Sequence, residues 1–377
     1  MSTETLGEPL PTLYAKWAAE FLGGPVPRES LATCDTCAMC PTGAVQETPS
    51  RSYFFNPITK CCTYVPDLHN FLVGRILEES ESNPAAQIGR STVEKRIAEG
   101  IGVTPLGLWQ SPVYSHFYKN SDDSFGRSKA LRCPHYLEEG DRCGVWRNRN
   151  SICSTWFCKH VRGSVGYAFW RSLQDALQIV ERNLGRWCVL EVPLGDDALG
   201  HLMTTTSWRG DAGEVTDDSL NNKVNQESYD RIWGAWRGRE REFFGRCGEL
   251  VACLSWKDVL AISGPDLRAS VDRVQQFYRR LTSNEIPPEL EVGEFHVLGM
   301  QHGTTQVFTY SYYDPLDIPN ALMEALPYFD GRPTGDAVAA IAEERGVQLE
   351  SSLVLKMVDF GLLVPVEKKP RERQSNP

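Results

Sequence analysis

Apolar residues recur at helical spacing along most of the chain, and the recurrence fails where cysteine, proline and glycine crowd together. Within residues 1–30, Leu13, Trp17, Ala18 and Phe21 share one face and Gly23-Gly24-Pro25 stops it, which predicts a short packing helix. Leu68, Phe71, Leu72, Ile76 and Leu77 predict a second helix after the start signal Pro66-Asp67. Ser164 reads as the N-cap of a third, with Phe169, Trp170, Leu173, Leu177, Val180 and Leu184 on one face and Gly185 as its C-cap; WCVLEVP then reads as a buried strand. Tyr229, Ile232, Trp233, Trp236, Phe243, Phe244, Cys247, Leu250 and Val251 give one long amphipathic helix. Another follows Pro265 through Leu267, Val271, Val274, Phe277, Tyr278 and Leu281. EFHVLGM, a QHG turn and TTQVFTYSYY read as a β-hairpin. PNALMEALPYF, TGDAVAAIAEERG and ESSLVLKMVDFG read as three short helices, closed by Leu362-Leu363-Val364 as a strand.

The stretches between are less periodic. Residues 79–131 read as an insertion between two groups of cysteines: ESESNPAAQ as a surface loop, Ser91 and Glu94 as a capping box that starts a short helix, and VTPLGLWQSPVYSHFY without a period. Residues 194–226 turn to Gly, Asp, Thr, Ser and Asn and read as a long loop or lid. The charged tail 367–377 reads as disordered. The expected fold is α+β and predominantly helical. An irregular cysteine-rich metal-binding domain at 1–162 would pack on long helices. A helical α+β domain would span 163–318, and a small winged-helix-like domain 319–366.

A formal charge of -10 argues against nucleic acid and against an anionic membrane surface as partners, because both demand a basic face. No run of eighteen apolar residues exists and no basic-then-apolar leader opens the chain, so the expected location is cytoplasmic. Thiols stay reduced there, which favours metal ligation or redox chemistry over a disulfide framework.

That matters because nine of the twelve cysteines fall before residue 159. Cys34, Cys37 and Cys40 stand at C-x2-C-x2-C spacing, Cys61 and Cys62 are adjacent, and Cys133, Cys143, Cys153 and Cys158 follow. Thiolates are soft ligands that suit zinc, Cu(I) and iron–sulfur clusters. The triple spacing ending in Cys40-Pro41 is also how bacterial ferredoxins supply three ligands to a [4Fe-4S] cluster, whereas zinc knuckles pair one C-x2-C with another. Iron–sulfur is therefore the first expectation and zinc the alternative. His69, His135 and His160 lie near these cysteines as ligand or neighbouring candidates, and Arg132, Arg142, Arg147 and above all Arg149 as cations able to neutralise thiolates or hold an anionic substrate. Trp146, Trp156 and Phe157 would exclude water. Cys188, Cys247 and Cys253 read as small buried apolar residues.

The run CPHYLEEGDRCGVWRNRNSICSTWFC resembles the second half of the cysteine-cluster proteins of the YkgJ type, a family tied to zinc or iron chelation. Cys133-Pro134, Cys143 with Trp146, Arg149, Cys153 and Cys158 carry the likeness, with Cys61-Cys62 as the family's paired cysteines and Cys34, Cys37 and Cys40 as its N-terminal ligands. Asn150 stands where proline is usual and Ser154 where arginine is usual. A flagellin lysine N-methylase carries a related cluster, so the resemblance also admits a protein-modifying enzyme. LPYFDGRPTGDAVAAIAEERG and LVLKMVDFGLLVP resemble winged-helix domains of the PqqD type, which implies a peptide or protein partner. The functions in view are thus an iron–sulfur protein with redox or cluster-dependent catalysis, a zinc-stabilised peptide-binding adaptor, and a protein-modifying enzyme. No serine-hydrolase, glycine-rich methyltransferase or C-x3-C-x2-C radical motif is present.

Overall fold

The computed structural model describes residues 10–34, 37–40, 54–79, 84–205 and 217–366. The fold is α+β and predominantly helical, with small sheets, as the pattern predicts. Two compact units divide the chain: Met1–Trp156 with Trp170–Gln276, and Phe157–Phe169 with Phe277–Pro377. The expected boundaries at 162/163 and 318/319 fall elsewhere; the 319–366 segment lies inside the second unit. The expected disordered tail lies outside the described residues. Among the described residues no helix is long and apolar enough to cross a membrane.

In the first unit, α1 (Thr12–Leu22) buries Tyr14, Trp17, Ala18 and Phe21 and ends on left-handed Gly23 (φ 69°), the stop its sequence announces. β1 (Leu68–His69) leads into α2 (Asn70–Leu77), and α3 (Pro84–Glu99) follows. The capping-box expectation fails here. Pro84 opens α3 seven residues before Ser91, its fixed φ suiting a first turn, so Ser91 and Glu94 sit inside the helix. β2 (Val103–Thr104) and β3 (Gly107–Leu108) complete an antiparallel sheet in the order β1-β3-β2. In α4 (Pro112–Lys119) the Ser111 hydroxyl accepts the Tyr114 N–H at 3.2 Å. The short pair β4 (Tyr136–Leu137) and β5 (Arg142–Cys143) and then α5 (Ser151–Thr155) carry cysteines.

Three sequence expectations break in the helices that follow. First, α6 (Gly163–Glu191) runs through Gly185 and through the stretch expected as a strand. One interior glycine costs only about 1 kcal/mol. Gly185 also serves packing: a Cβ there would stand 3.0 Å from His69 Nδ1, and its carbonyl accepts the Asn70 amide at 2.8 Å. Second, the expected lid contains α7 (Asp196–Thr205), which buries Ala198 and Leu202 one turn apart; 206–216 lie outside the described residues and α8 (Asp217–Leu220) follows. Third, the expected single helix is two, α9 (Gln226–Trp233) and α10 (Glu240–Ala252), parted by left-handed Gly234 (φ 48°) and Gly238 (φ 81°). The break lets Trp233 meet Phe243 and Phe244 edge-on at 5.5 and 5.6 Å. α11 (Trp256–Thr282) is kinked at Gly264 (φ 72°), and its part after Pro265 is the helix expected there.

The second unit holds two three-stranded antiparallel sheets. β6 (Glu289–Val292) is central in one, between β10 (Asp330–Pro333) and β11 (Leu363–Pro365). The expected hairpin forms as β7 (His296–Gln301) and β8 (Thr304–Phe308), turning on His302 and Gly303, and β9 (Leu316–Pro319) joins it. The three predicted helices are α12 (Asn320–Ala325), α13 (Thr334–Arg345) and α14 (Ser351–Asp359), around a core of Leu290, Val307, Phe329, Ile341, Met357 and Leu363. Arg162 closes this unit with a two-pronged ion pair to Asp359 (2.8 and 2.6 Å) and a bond to the Ser283 carbonyl at 2.7 Å.

In the first unit α2 packs closely on α10. A Cβ on Gly74 would lie 1.9 Å from the Phe244 carbonyl oxygen and 3.0 Å from the Gly248 nitrogen, both backbone atoms. Gly74→Ala is therefore expected to push the helices apart and cost about 3 kcal/mol or more. Chemical denaturation would read this as a lowered midpoint; an unchanged midpoint would refute the backbone contact.

Candidate metal centre

Five chain segments bring thiols into one neighbourhood of the first unit. Cys37 and Cys40 are turned together by the Cys40 N–H donating to the Cys37 carbonyl at 3.0 Å. The Cys61-Cys62 pair follows Lys60, which adopts a left-handed conformation (φ 48°), and the Cys62 N–H bonds the Thr59 carbonyl at 2.9 Å. Next, the Cys133 N–H donates to the Cys62 carbonyl at 2.8 Å, which ties two cysteine segments by backbone alone. Tyr136 pairs across the sheet with Cys143, and the Gly144 N–H donates to the His135 carbonyl at 2.8 Å. Cys153 is placed by α5, whose N-cap Asn150 accepts the Cys153 N–H at 3.0 Å. Asn150 thus has a local task as the N-cap of α5.

The thiols feel one another. Burial and then Cys61 push Cys34 up to about 11; burial and Cys37 push Cys40 up to about 12. Cys133 is pushed up to about 12 and Cys143 to about 11, again chiefly by burial. Cys61 is raised by its hydrogen bond with Cys62 and by burial; Cys62 is raised too, although the bond from Cys61 opposes it, by burial and by Cys143 and Cys133. Cys153 is raised by burial, Cys133 and Cys143. The cause is general: charge is costly away from water and costlier beside like charge. Against this, the N–H groups of His135 and Tyr136 point at the Cys133 sulfur and that of Val145 at the Cys143 sulfur, favouring thiolate. Among the described residues, no three Cys, His, Asp or Glu side chains are drawn into a coordination sphere. The eight thiols are neighbours, not yet a formed ligand set.

Cations and polar side chains frame the group. Buried Arg149 lies in the field of Cys143, Cys153 and Cys34, donates to the Trp146 carbonyl at 2.7 Å and the Cys153 carbonyl at 3.2 Å, and stacks 3.6 Å over the Trp146 ring. Lys60 Nζ donates to the Cys34 carbonyl at 2.5 Å and pairs with Asp141 at 3.2 Å. From α3, Arg96 donates to His135 Nε2 at 3.2 Å and to the Trp109 carbonyl at 2.9 Å. Arginine has no acceptor, so His135 Nε2 must accept and Nδ1 carries the proton; among the described residues that buried Nδ1–H has no hydrogen-bond partner. Burial, then Arg96, holds the His135 pKa down at about 3, so the ring is neutral. Glu181 of α6 accepts the Ser151 N–H and hydroxyl, each at 2.6 Å, and the Tyr14 hydroxyl, fixing the start of the helix that carries Cys153. Phe55, Phe125 and Trp156 pack edge-on and stacked (5.1 to 6.5 Å) as an aromatic wall.

The remaining sequence candidates go elsewhere. His69 packs against Trp109 and Phe71, beside Gly185 and in the field of Arg182 and Arg186, and burial lowers it to about 4. Cys158, Phe157 and His160 belong to the second unit, where the His160 ring sits among Phe157, Tyr167 and Tyr310 and the His160 backbone N–H donates to Asp314 at 3.4 Å. Of the four arginines considered, only Arg149 is buried; Arg147 pairs with Glu79 and Arg132 with Glu138. Cys188 and Cys247 are buried as expected, but Cys253 is exposed, because it caps α10 beyond the buried Val251 face. Lys60, Arg96, Tyr136 and Glu181 escaped the sequence reading. Lys60 and Tyr136 had a signal, their nearness in sequence to Cys61 and Cys133; Arg96 and Glu181 reach the thiols only through the tertiary fold. Comparison with protein-family models, curated proteins and solved structures finds no match for the chain.

Glu181 makes this scaffold sensitive to pH. Burial lifts its pKa to about 7 against the hydrogen bonds that lower it. A carboxyl raised in the folded state is protonated there and ionised in the unfolded chain between its two pKa values. Stability should therefore fall as pH rises from about 4.5 to 7, by roughly 3 kcal/mol from this residue. Denaturant midpoints from pH 5 to 8 should show that slope reduced in Glu181→Gln; equal slopes would refute it.

Proposed function

We propose that the first unit is an iron–sulfur centre of [4Fe-4S] type serving redox or cluster-dependent catalysis in a cytoplasmic protein. One observation carries the reading: eight thiols from five segments converge in one compact unit. Cys34, Cys37, Cys40, Cys61, Cys62, Cys133, Cys143 and Cys153 would hold the group. Their chemistry fits it, since soft sulfur donors suit iron–sulfur and zinc far better than magnesium or calcium. Eight donors exceed one closed zinc site of four and equal the needs of two four-cysteine clusters. Further support comes from the His135 Nδ1–H, a donor suited to sulfur, two residues from Cys133 and without a partner among the described residues.

When bound, the group would supply one-electron chemistry. The chain's own residues would do the rest. Arg149 and Lys60 offset thiolate charge without adding ligands, because both are held by carbonyls of the cysteine segments themselves. Trp146 and the Phe55, Phe125 and Trp156 wall limit water, which governs potential. The 319–366 segment would dock a redox or peptide partner, its excess of acids excluding nucleic acid.

Iron, zinc and acid-labile sulfide should be measured per chain on protein purified without oxygen, together with an absorption spectrum. The expected result is iron and sulfide in equal amounts with a broad visible band, lost when Cys143→Ser and Cys153→Ser are combined. Zinc without sulfide or colour would replace this reading with the zinc-stabilised adaptor, and neither metal would refute both.

A further inference from the structure

A surface cavity of about 540 Å³ opens beside the thiols. Its lining comes from the segments that carry them. Pro57 and Ile58 lie just before Cys61, Arg132 adjoins Cys133, and Tyr136 pairs across the sheet with Cys143. Tyr136 belongs to both sides: its side chain lines the cavity, and its phenol lies in the electrostatic field of Cys62 and Cys40. No cysteine is among the described residues that line the cavity.

The charges in the cavity do not cancel. Asp141 is engaged by the Tyr136 hydroxyl at 2.5 Å and by Lys60 at 3.2 Å, and Glu138 by Arg132. Lys129 is left, exposed and with no ion pair among the described residues. Counting Lys60, three cations face two carboxylates, and the surplus sits on Lys129 with Arg132 one helical turn away. Ile58, in the same lining, is a large apolar side chain left 42 % exposed. Cationic and apolar side chains lining one cavity suit an amphipathic occupant.

We propose that this cavity binds a small organic anion, its carboxylate on Lys129 and Arg132 and its hydrocarbon part on Pro57 and Ile58, with Tyr136 as the residue between it and the thiols. The proposal builds on the reading of the thiols as the working centre. It names the class of molecule that centre serves.

Calorimetric titration of the full chain with hexanoate, and with hexylammonium as the opposite charge, tests it. Hexanoate should bind saturably and hexylammonium should not. Lys129→Ala should weaken hexanoate roughly tenfold, the effect of one charged hydrogen bond, while Lys129→Arg keeps it. Absence of saturable binding, preference for hexylammonium, or equal affinity in Lys129→Ala would overturn the proposal. Metal analysis of the same sample separates the two readings. Metal-free protein that binds hexanoate would sink the iron–sulfur reading alone, and metal-loaded protein that ignores it would sink this proposal alone.

Discussion

Crowding many thiols together away from water is the constraint on which the first unit depends. Sulfur gives little adhesion, and a second negative charge beside a first is costly, so the cysteines cannot gather themselves. Other residues must do it. Backbone bonds join Cys62 to Cys133 and His135 to Gly144, Asn150 and Glu181 set the start of α5, and Arg149 is threaded through the carbonyls around Cys153. The apolar core, from Trp17 through Phe71 to Phe244, then holds these pieces at fixed distances.

Much of the helical framework was legible because its signals are local. Gly23 stopping α1, the His302-Gly303 hairpin and the three short helices before the last strand each follow from a few adjacent residues. The failures share a cause. Gly185 looks like a helix end until His69 and Asn70 arrive from far upstream to fill the space its missing side chain leaves. Tyr229 to Val251 looks like one helix until the contact of Trp233 with Phe243 and Phe244 rewards a break at two glycines. Tertiary packing overrode local preference in both.

At the thiols the same division holds. Spacing alone marked nine cysteines, but it could not sort Cys158 into the other unit or bring Arg96 and Glu181 across the fold. Residues 79–131 read as an insertion because they separate the cysteine groups in sequence. In space they supply Arg96 to His135 and Gly126 to Asn56 and Thr59, close before Cys61.

Gly89 of α3 touches the loop that holds Cys143 backbone to backbone: a Cβ there would stand 1.9 Å from the Gly144 carbonyl oxygen. Hydrogen bonds stretch by tenths of an ångström at little cost, whereas atoms in van der Waals contact resist compression steeply. The helix is thus a hard mechanical stop behind a sulfur-bearing strand. Its stiffness sets how far that strand can recoil.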